Sequence, residues 1–237
     1  MQAITIDDFV FRVFGGSDGD GGGDGPGVVL MHGFGAPGDD LVPFAQAIDV
    51  PPGTRFIFPQ APLQLGPMFG GGRAWWMIDI ARLEQAIASG NHRDMTNEAP
   101  DDLIAIAEKL GIGLGELQSK IGLDPKRTLL GGFSQGGMVA AQLAFSTAIP
   151  VAGLVLLSTT FLNASQWKLG MAERSGTEVF QSHGRADPLL SFDIAESLRD
   201  EMKEKGLAVD WHAFNGGHEI PPTVLGALSA FSTRMLS

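Results

Sequence analysis

The chain has 237 residues, of which 44% are hydrophobic and 18% are charged, and it contains no cysteine. This composition is typical of a folded globular protein rather than a disordered one, and the lack of cysteine excludes disulfides and thiolate chemistry. The formal net charge of −11 argues against nucleic acid as a partner and against stable association with an anionic membrane.

Short apolar runs alternate with helical patterns along the whole chain. This alternation is typical of an α/β protein with a mostly parallel central sheet and helices on both faces. The predicted strands cover residues 4–14 (as one or two strands), 28–31, 54–58, 127–133, 151–158, 178–182 and 209–214. The predicted helices cover residues 40–48, 81–89, 101–121, 135–146, 191–206 and 221–236. Pro59 and Pro62 are expected to end the strand over 54–58. No linker interrupts the alternation, so we expect a single domain over residues 1–237.

The segment 15–27 is rich in Gly and Asp and invites comparison with a calcium loop. Calcium loops place oxygen ligands at set spacings and often end in a bidentate Glu, which does not follow here. We therefore expect a flexible connection and no metal. The strand over 28–31 then leads into His32-Gly33-Phe34-Gly35, which by itself is equally consistent with a plain tight turn.

The irregular segment 63–77 is rich in Gly, Met, Phe and Trp. Met and Trp side chains suit an alkyl chain, so the large apolar residues here are candidates for the wall of an acyl pocket. Ordinary core packing beneath a long loop explains them equally well. The candidate substrate-binding residues are Leu65, Met68, Phe69, Trp75 and Trp76.

Gly132-Phe133-Ser134-Gln135-Gly136 lies between the strand over 127–133 and the helix over 135–146. A serine on such a sharp strand-to-helix turn needs glycine two positions to either side, because larger side chains would collide with the turn. The helix dipole there favours developing negative charge. This context predicts that Ser134 is a nucleophile rather than an incidental serine in a glycine-rich turn.

Attack by a serine places negative charge on a carbonyl oxygen, which fixed N–H groups can stabilise. One donor is expected from the residue after the nucleophile, and the other from the loop after the early strand. We therefore predict an oxyanion hole formed by the backbone N–H groups of Gln135 and Phe34.

A serine nucleophile needs a base, and the base needs an acid that orients it. His218 follows the last predicted strand, on the loop before the closing helix, and Asp187 follows the preceding strand. The order Ser134, Asp187, His218 is that of an α/β-hydrolase triad. Asp210 and Glu219 are weaker candidates for the acid. The remaining histidines, expected to be structural or solvated, are His32, His92, His183 and His212.

These motifs make the chain resemble the phospholipase/carboxylesterase family of α/β-hydrolases, which includes acyl-protein thioesterases. The resemblance spans nearly the whole chain and rests on residues 30–35, 58–62, Trp75-Trp76 with Asp79, 131–137, His183-Gly184 with Asp187-Pro188, and Gly217-His218. It implies an α/β-hydrolase fold and a cofactor-free esterase or thioesterase with little or no lid. The Gly/Asp tract is longer than expected for this family, and relatives often carry an Asp soon after the glycine that corresponds to Gly35.

We therefore expect a serine hydrolase that cleaves small-molecule carboxylic esters or thioesters through an acyl-serine intermediate. Since no segment offers room for a lid domain, we expect short-to-medium acyl chains. A peptidase or acyltransferase with the same triad is an alternative, as is a catalytically silent α/β-hydrolase fold that only binds a ligand. The cysteine-free chain and the lack of a signal-peptide pattern at its start indicate a cytoplasmic location. The resemblance also allows a homodimer, for which the sequence identifies no interface.

Overall fold

The computed structural model describes the backbone of residues 1–237 and the side chains of all of them except Met68. Its strands are β1 (Gln2–Ile6), β2 (Phe9–Gly15), β3 (Gly27–Met31), β4 (Arg55–Gln60), β5 (Leu63–Gln64), β6 (Arg73–Ala74), β7 (Thr128–Phe133), β8 (Gly153–Leu157), β9 (Glu178–Gly184) and β10 (Ala208–Phe214). Eight of them form one sheet in the order β1-β2-β4-β3-β7-β8-β9-β10, while β5 and β6 pair separately. The β1–β2 and β2–β4 pairs are antiparallel, and the other neighbours in the large sheet are parallel.

Helices cover both faces of this sheet, as predicted. They are α1 (Phe44–Ala47), α2 (Ile80–Ala88), α3 (Asp101–Ile121), α4 (Gln135–Ser146), α5 (Ala164–Ala172), α6 (Phe192–Glu204) and α7 (Pro222–Leu236). Helices α3 to α6 contribute to the apolar core on one face, and α1 and α7 pack on the other. Within the described residues, no helix has both the length and the apolarity needed to cross a membrane.

The centre of the fold is buried on every side. All residues of β3 and β8 are buried, as is every residue of α4 from Gln135 to Phe145. Strands covered on both faces read as continuous apolar runs, which is why these elements are recognisable in the sequence. The small residues of α4 let this helix lie directly against β7 and β8, and the helix begins one residue after Ser134.

The predicted bounds of one strand and one helix need correction, and in both cases a proline is involved. Strand β4 continues through Pro59 to Gln60. Its pairing with β3 covers only Arg55 to Ile57, so Pro59 lies where β2 is the one neighbouring strand, and a proline without an N–H is tolerated at such an edge. The helix expected over 40–48 covers only Phe44–Ala47. Pro43 directly precedes it, and a proline inside the helix would clash with the preceding turn and remove a hydrogen bond.

Helix α5 has no counterpart among the predicted helices. Its buried face consists of only three residues, Ala164, Trp167 and Met171, so the periodic apolar signal is weak. Gly170 lowers the intrinsic helix propensity further. A side chain at Gly170 would collide with the carbonyl oxygen of Phe145, so the glycine is required by the close approach of α5 to α4.

Candidate active site

Ser134 lies on the turn between β7 and α4 with φ 53° and ψ −118°. Positive φ is costly for a non-glycine residue and persists only where the surroundings enforce it. The Ser134 N–H donates to the carbonyl oxygen of Leu157 (2.8 Å). Side chains at Gly132 or Gly136 would collide with backbone atoms of Met31 and of the turn itself. The elbow therefore depends on these two glycines in the way the sequence predicts.

The side chains of His218 and Asp187 meet on loops that follow β10 and β9. His218 Nδ1 lies 2.7 Å from Asp187 Oδ2, while Oδ1 accepts hydrogen bonds from the N–H groups of Leu189 (2.8 Å) and Leu190 (3.0 Å). Burial favours the neutral form of Asp187, but the bond and charge of His218 and the two N–H groups outweigh it and hold the pKa of Asp187 below its ordinary value. An ionised Asp187 fixes the proton of His218 on Nδ1 and leaves Nε2 as an acceptor.

The loops that carry the acid and the base are joined to each other and to the elbow. The N–H of Ala186, one residue before Asp187, donates to the carbonyl oxygen of Gly216 (3.0 Å). The ring centroid of His218 lies 4.8 Å from that of Phe133, the residue before the nucleophile. The side chain of His218 is 12% exposed, and His218 and Ser134 line the same cavity.

The two predicted oxyanion donors line this cavity beside Ser134. Among the described residues, neither the N–H of Phe34 nor that of Gln135 has a hydrogen-bond acceptor. The first N–H groups of a helix have no partner within the helix, so the N–H of Gln135 is available because of its position at the start of α4. Two such donors next to a nucleophile can receive the negative charge of a tetrahedral intermediate.

His32 fixes the loop that carries Phe34. Its Nε2 accepts the N–H of Ala61 (3.1 Å), and its Nδ1 donates to the carbonyl oxygen of Gly33 (2.8 Å). Burial lowers the pKa of His32, so the ring is neutral, in agreement with this bonding pattern. The indole N–H of Trp75 also donates to the carbonyl oxygen of His32 (2.8 Å). His32 is therefore placed as a structural residue rather than a base.

The side chain of Gln135 has a role that the sequence does not reveal. Its Oε1 accepts the backbone N–H of Trp75 (3.0 Å), and its Nε2 donates to the carbonyl oxygen of Trp76 (2.8 Å). These bonds tie the segment after β6 to the start of α4. The partners lie about 60 residues apart in the chain, and no local sequence pattern signals such a contact.

Of the five histidines, His218 alone is among the described residues that line the cavity. His92 Nε2 lies 2.8 Å from the carbonyl oxygen of Asp187, so this exposed residue is held against the acid loop. His183 is fully buried beside Asp187, and His212 lies 2.8 Å from Asp210. Within the described residues, no group of three or more His, Asp or Glu side chains is placed to hold a metal ion.

The cavity has a volume of about 860 Å³. One wall is apolar, with Trp76, Leu83, Met95, Met138 and Leu162. The charged groups that line the cavity are Asp40, Asp79, Arg93, Glu98, Asp101 and Asp102. The site is therefore an acidic cavity with one apolar wall, open to the nucleophile and its base.

Of the five residues predicted to wall an acyl pocket, Trp76 lines the cavity. Trp75 and Leu65 are buried, with Trp75 in the main core. Phe69 lies outside the lining and packs edge-on against Phe34 at 5.9 Å. The side chain of Met68 lies outside the described part of the chain. The wall instead uses residues from α2, from α4 and from the segments before α3 and α5.

Comparisons with known proteins agree with this geometry. The family model described as Phospholipase/Carboxylesterase matches residues 24–236. The chain is 25% identical over 216 residues to acyl-protein thioesterase 1 of Mycosarcoma maydis, covering 87% of this chain and 90% of that protein. It is 28% identical over 184 residues to lysophospholipase-like protein 1 of Mus musculus, covering 75% and 71%.

Solved structures agree as well. Esterase PE8 superposes with a TM-score of 0.74 at 27% identity, covering 95% of this chain and 97% of that one. A carboxylesterase from Mesorhizobium loti superposes with a TM-score of 0.76 at 18% identity, covering 97% of both chains. The second likeness concerns the fold alone. Together they confirm the predicted α/β-hydrolase fold.

Proposed function

The chain belongs to the phospholipase/carboxylesterase family and is a serine hydrolase of esters or thioesters, in which we propose that Ser134 is the nucleophile, His218 the base and Asp187 the acid. The observation that carries this assignment is the 2.7 Å contact between His218 Nδ1 and the buried Asp187 Oδ2, since His218 also lines the cavity that contains the strained Ser134. The resemblance of the sequence to the family is confirmed.

The first half of the reaction acylates Ser134. His218 Nε2 takes the proton of the Ser134 hydroxyl as the oxygen attacks the carbonyl carbon of the substrate. The negative charge that develops on the carbonyl oxygen faces the N–H groups of Phe34 and Gln135. His218, now protonated and stabilised by the carboxylate of Asp187, returns the proton to the departing alkoxide or thiolate, and the acyl group stays on Ser134.

The second half releases the acid. Water takes the place of the departed alcohol or thiol, and His218 removes a proton from it as its oxygen attacks the acyl carbon. The same two N–H groups hold the second tetrahedral intermediate. Collapse of this intermediate breaks the bond to Ser134 Oγ, which recovers the proton from His218. Every proton that leaves one group in this sequence is taken up by another.

We infer that the acyl chains are short to medium in length. Burial of each CH₂ contributes about 0.8 kcal/mol only while apolar wall is available. The wall of Trp76, Met138 and Leu162 shares one cavity with the carboxylates of Asp101 and Asp102. A long alkyl chain would have to pass these charged groups or leave the cavity, so its outer carbons gain little.

Further proposals concern the setting of the reaction. We propose that the protein acts on a small-molecule ester or thioester in the cytoplasm, without stable membrane association, and the formal net charge of −11 supports this because it repels anionic lipid. A single domain over residues 1–237 is supported by the large sheet, whose strands come from residues 2 to 214. A homodimer remains a proposal, which sedimentation velocity tests.

Replacement of the nucleophile tests the assignment. Ser134→Ala should lower the hydrolysis of a p-nitrophenyl ester by about 10⁴-fold or more, because attack by the serine is lost. Ser146→Ala, a change at the other end of the same helix α4, is the matched control and should leave the rate unchanged. A folded Ser134→Ala protein with normal turnover would show that another residue attacks the substrate.

A further inference from the structure

His183 is a fully buried histidine that lies against the proposed acid but takes no part in the mechanism above. It is the last residue but one of β9, and its side chain is 0% exposed. Its Nε2 lies 3.0 Å from the carbonyl oxygen of Leu190 and 3.3 Å from Asp187 Oδ2. Its Nδ1 is buried and has no hydrogen-bond partner among the described residues. A histidine buried at this cost requires an explanation.

The surroundings fix the protonation of the ring. Both oxygens that face Nε2 are acceptors, so Nε2 carries the proton and Nδ1 does not. Burial lowers the pKa of His183. Among its titratable neighbours, Asp187 opposes this shift, whereas His218 and His92 add to it. The ring is therefore a neutral group with one N–H, which it donates to Leu190.

The peptide groups of Leu190 connect this donor to the carboxylate. The N–H of Leu190 donates to Asp187 Oδ1 (3.0 Å), while its carbonyl oxygen accepts from His183 (3.0 Å). The turn from Asp187 to Leu190 is thus held at one end by its own carboxylate and at the other by His183. The Nε2–H of His183 also lies 3.3 Å from Asp187 Oδ2, the oxygen that binds His218.

We propose that His183 is a positioning residue for the triad, which anchors the turn from Asp187 to Leu190 so that Oδ2 stays directed at His218. The inference rests on the proposed triad. Without this donor the carbonyl oxygen of Leu190 is buried and unpaired, and the turn is free to adopt orientations in which Asp187 faces His218 less well. His183 does not belong to the described cavity lining, although Leu189 and Leu190 of the turn do, so its loss should lower kcat by more than it changes KM.

Three variants test this role. His183→Leu removes the donor while keeping an apolar side chain of similar size, and His183→Gln keeps an N–H near the position of Nε2. Gln181→Leu is the matched control: Gln181 is buried, points to the same side of β9, and donates to the carbonyl oxygen of Ala195 in α6 (2.9 Å). It therefore removes a comparable buried hydrogen bond that does not lead to the acid.

Loss of one neutral hydrogen bond that holds a catalytic group typically corresponds to about a tenfold change in a rate constant. We expect His183→Leu to lower kcat by about tenfold with a smaller change in KM, and His183→Gln to recover most of the loss in kcat. Gln181→Leu should lower the thermal midpoint to a similar extent as His183→Leu and leave kcat unchanged. All rates are compared well below the lowest midpoint, so that unfolding does not contribute.

The inference is overturned if folded His183→Leu keeps the wild-type kcat, or if Gln181→Leu loses as much of it. If His183→Leu does not fold, His183→Asn replaces it, since its amide is too short to reach Leu190. Equal kcat values for His183→Asn and His183→Gln would then overturn the inference. A failure of this inference can be told apart from a failure of the proposed function. An active Ser134→Ala protein would contradict the triad itself, whereas the His183 variants test only how Asp187 is held.

Discussion

A charged leaving group should change the catalytic efficiency of this enzyme in a direction set by the cavity. Five carboxylates and one guanidinium line the cavity: Asp40, Asp79, Glu98, Asp101, Asp102 and Arg93. Arg82 lies 3.7 Å from Asp79 and offsets it. About three net negative charges therefore surround the substrate. We expect a cationic ester to be favoured over its neutral isostere, and an anionic thioester to be disfavoured.

The size of this effect follows from the dimensions of the cavity. A volume of about 860 Å³ is that of a sphere of roughly 6 Å radius, and at that distance two unit charges in water interact by about 0.7 kcal/mol. Screening at physiological ionic strength reduces this by about half. Three charges then give about 1 kcal/mol, or about a fivefold change in kcat/KM.

The assay compares butyrylcholine with 3,3-dimethylbutyl butyrate, in which carbon replaces the charged nitrogen, at one mildly alkaline pH. Butyryl-CoA supplies the anionic case. Asp101→Asn combined with Asp102→Asn should remove most of the preference, whereas Asp193→Asn, outside the cavity lining, should not. Equal kcat/KM for the two butyrate esters at low salt, or a preference that high salt leaves unchanged, would show that the carboxylates of the cavity do not select the leaving group.

Two further predictions concern chain length and pH. Along p-nitrophenyl esters from about two to sixteen carbons, kcat/KM should rise over the first several carbons and then level off, without a rise at a lipid interface; a steady increase to the longest chain would require a deep tunnel. Burial lowers the pKa of His32 and of His183, so their stabilising contribution is present above about pH 6.5 and is lost as the pH falls toward the native pKa values. Below about pH 6.5, urea unfolding should show the free energy of unfolding falling by up to about 1.4 kcal/mol per pH unit for each histidine. A free energy of unfolding that does not change below about pH 6.5 would contradict the assignment of both histidines as buried neutral groups.

Much of the fold is predictable because its central strands are buried on both faces and therefore read as apolar runs. The runs of β3 and β8 are apolar throughout, β7 is apolar after Thr128, and α3 and α4 cover the predicted residues. The failures have tertiary causes. Pro59 is tolerated because β3 stops pairing with β4 before reaching it, and α5 is held by contact with α4 at Gly170. Neither cause is visible within a local stretch of sequence.

The candidate site likewise has residues whose placement the sequence predicts and residues whose placement depends on tertiary contacts. Ser134, Asp187 and His218 each follow a strand of the parallel part of the sheet, whose carboxyl ends meet at one edge, so their order along the chain predicts their proximity. The acyl wall follows no such rule. Trp75 and Trp76 are adjacent in sequence and both belong to the buried core, yet of the two only Trp76 also lines the described cavity. The partners of Gln135 and His183 are likewise set by tertiary contacts.

Active-site labelling shows whether Ser134 forms the covalent intermediate. A fluorophosphonate probe reacts with a serine only where a base and an oxyanion hole activate it. Intact mass spectrometry followed by peptide mapping should show one probe per chain, attached to Ser134, and none on Ser134→Ala. A chain that stays unlabelled while folded, or that carries the probe on another residue, would show that Ser134 is not the nucleophile.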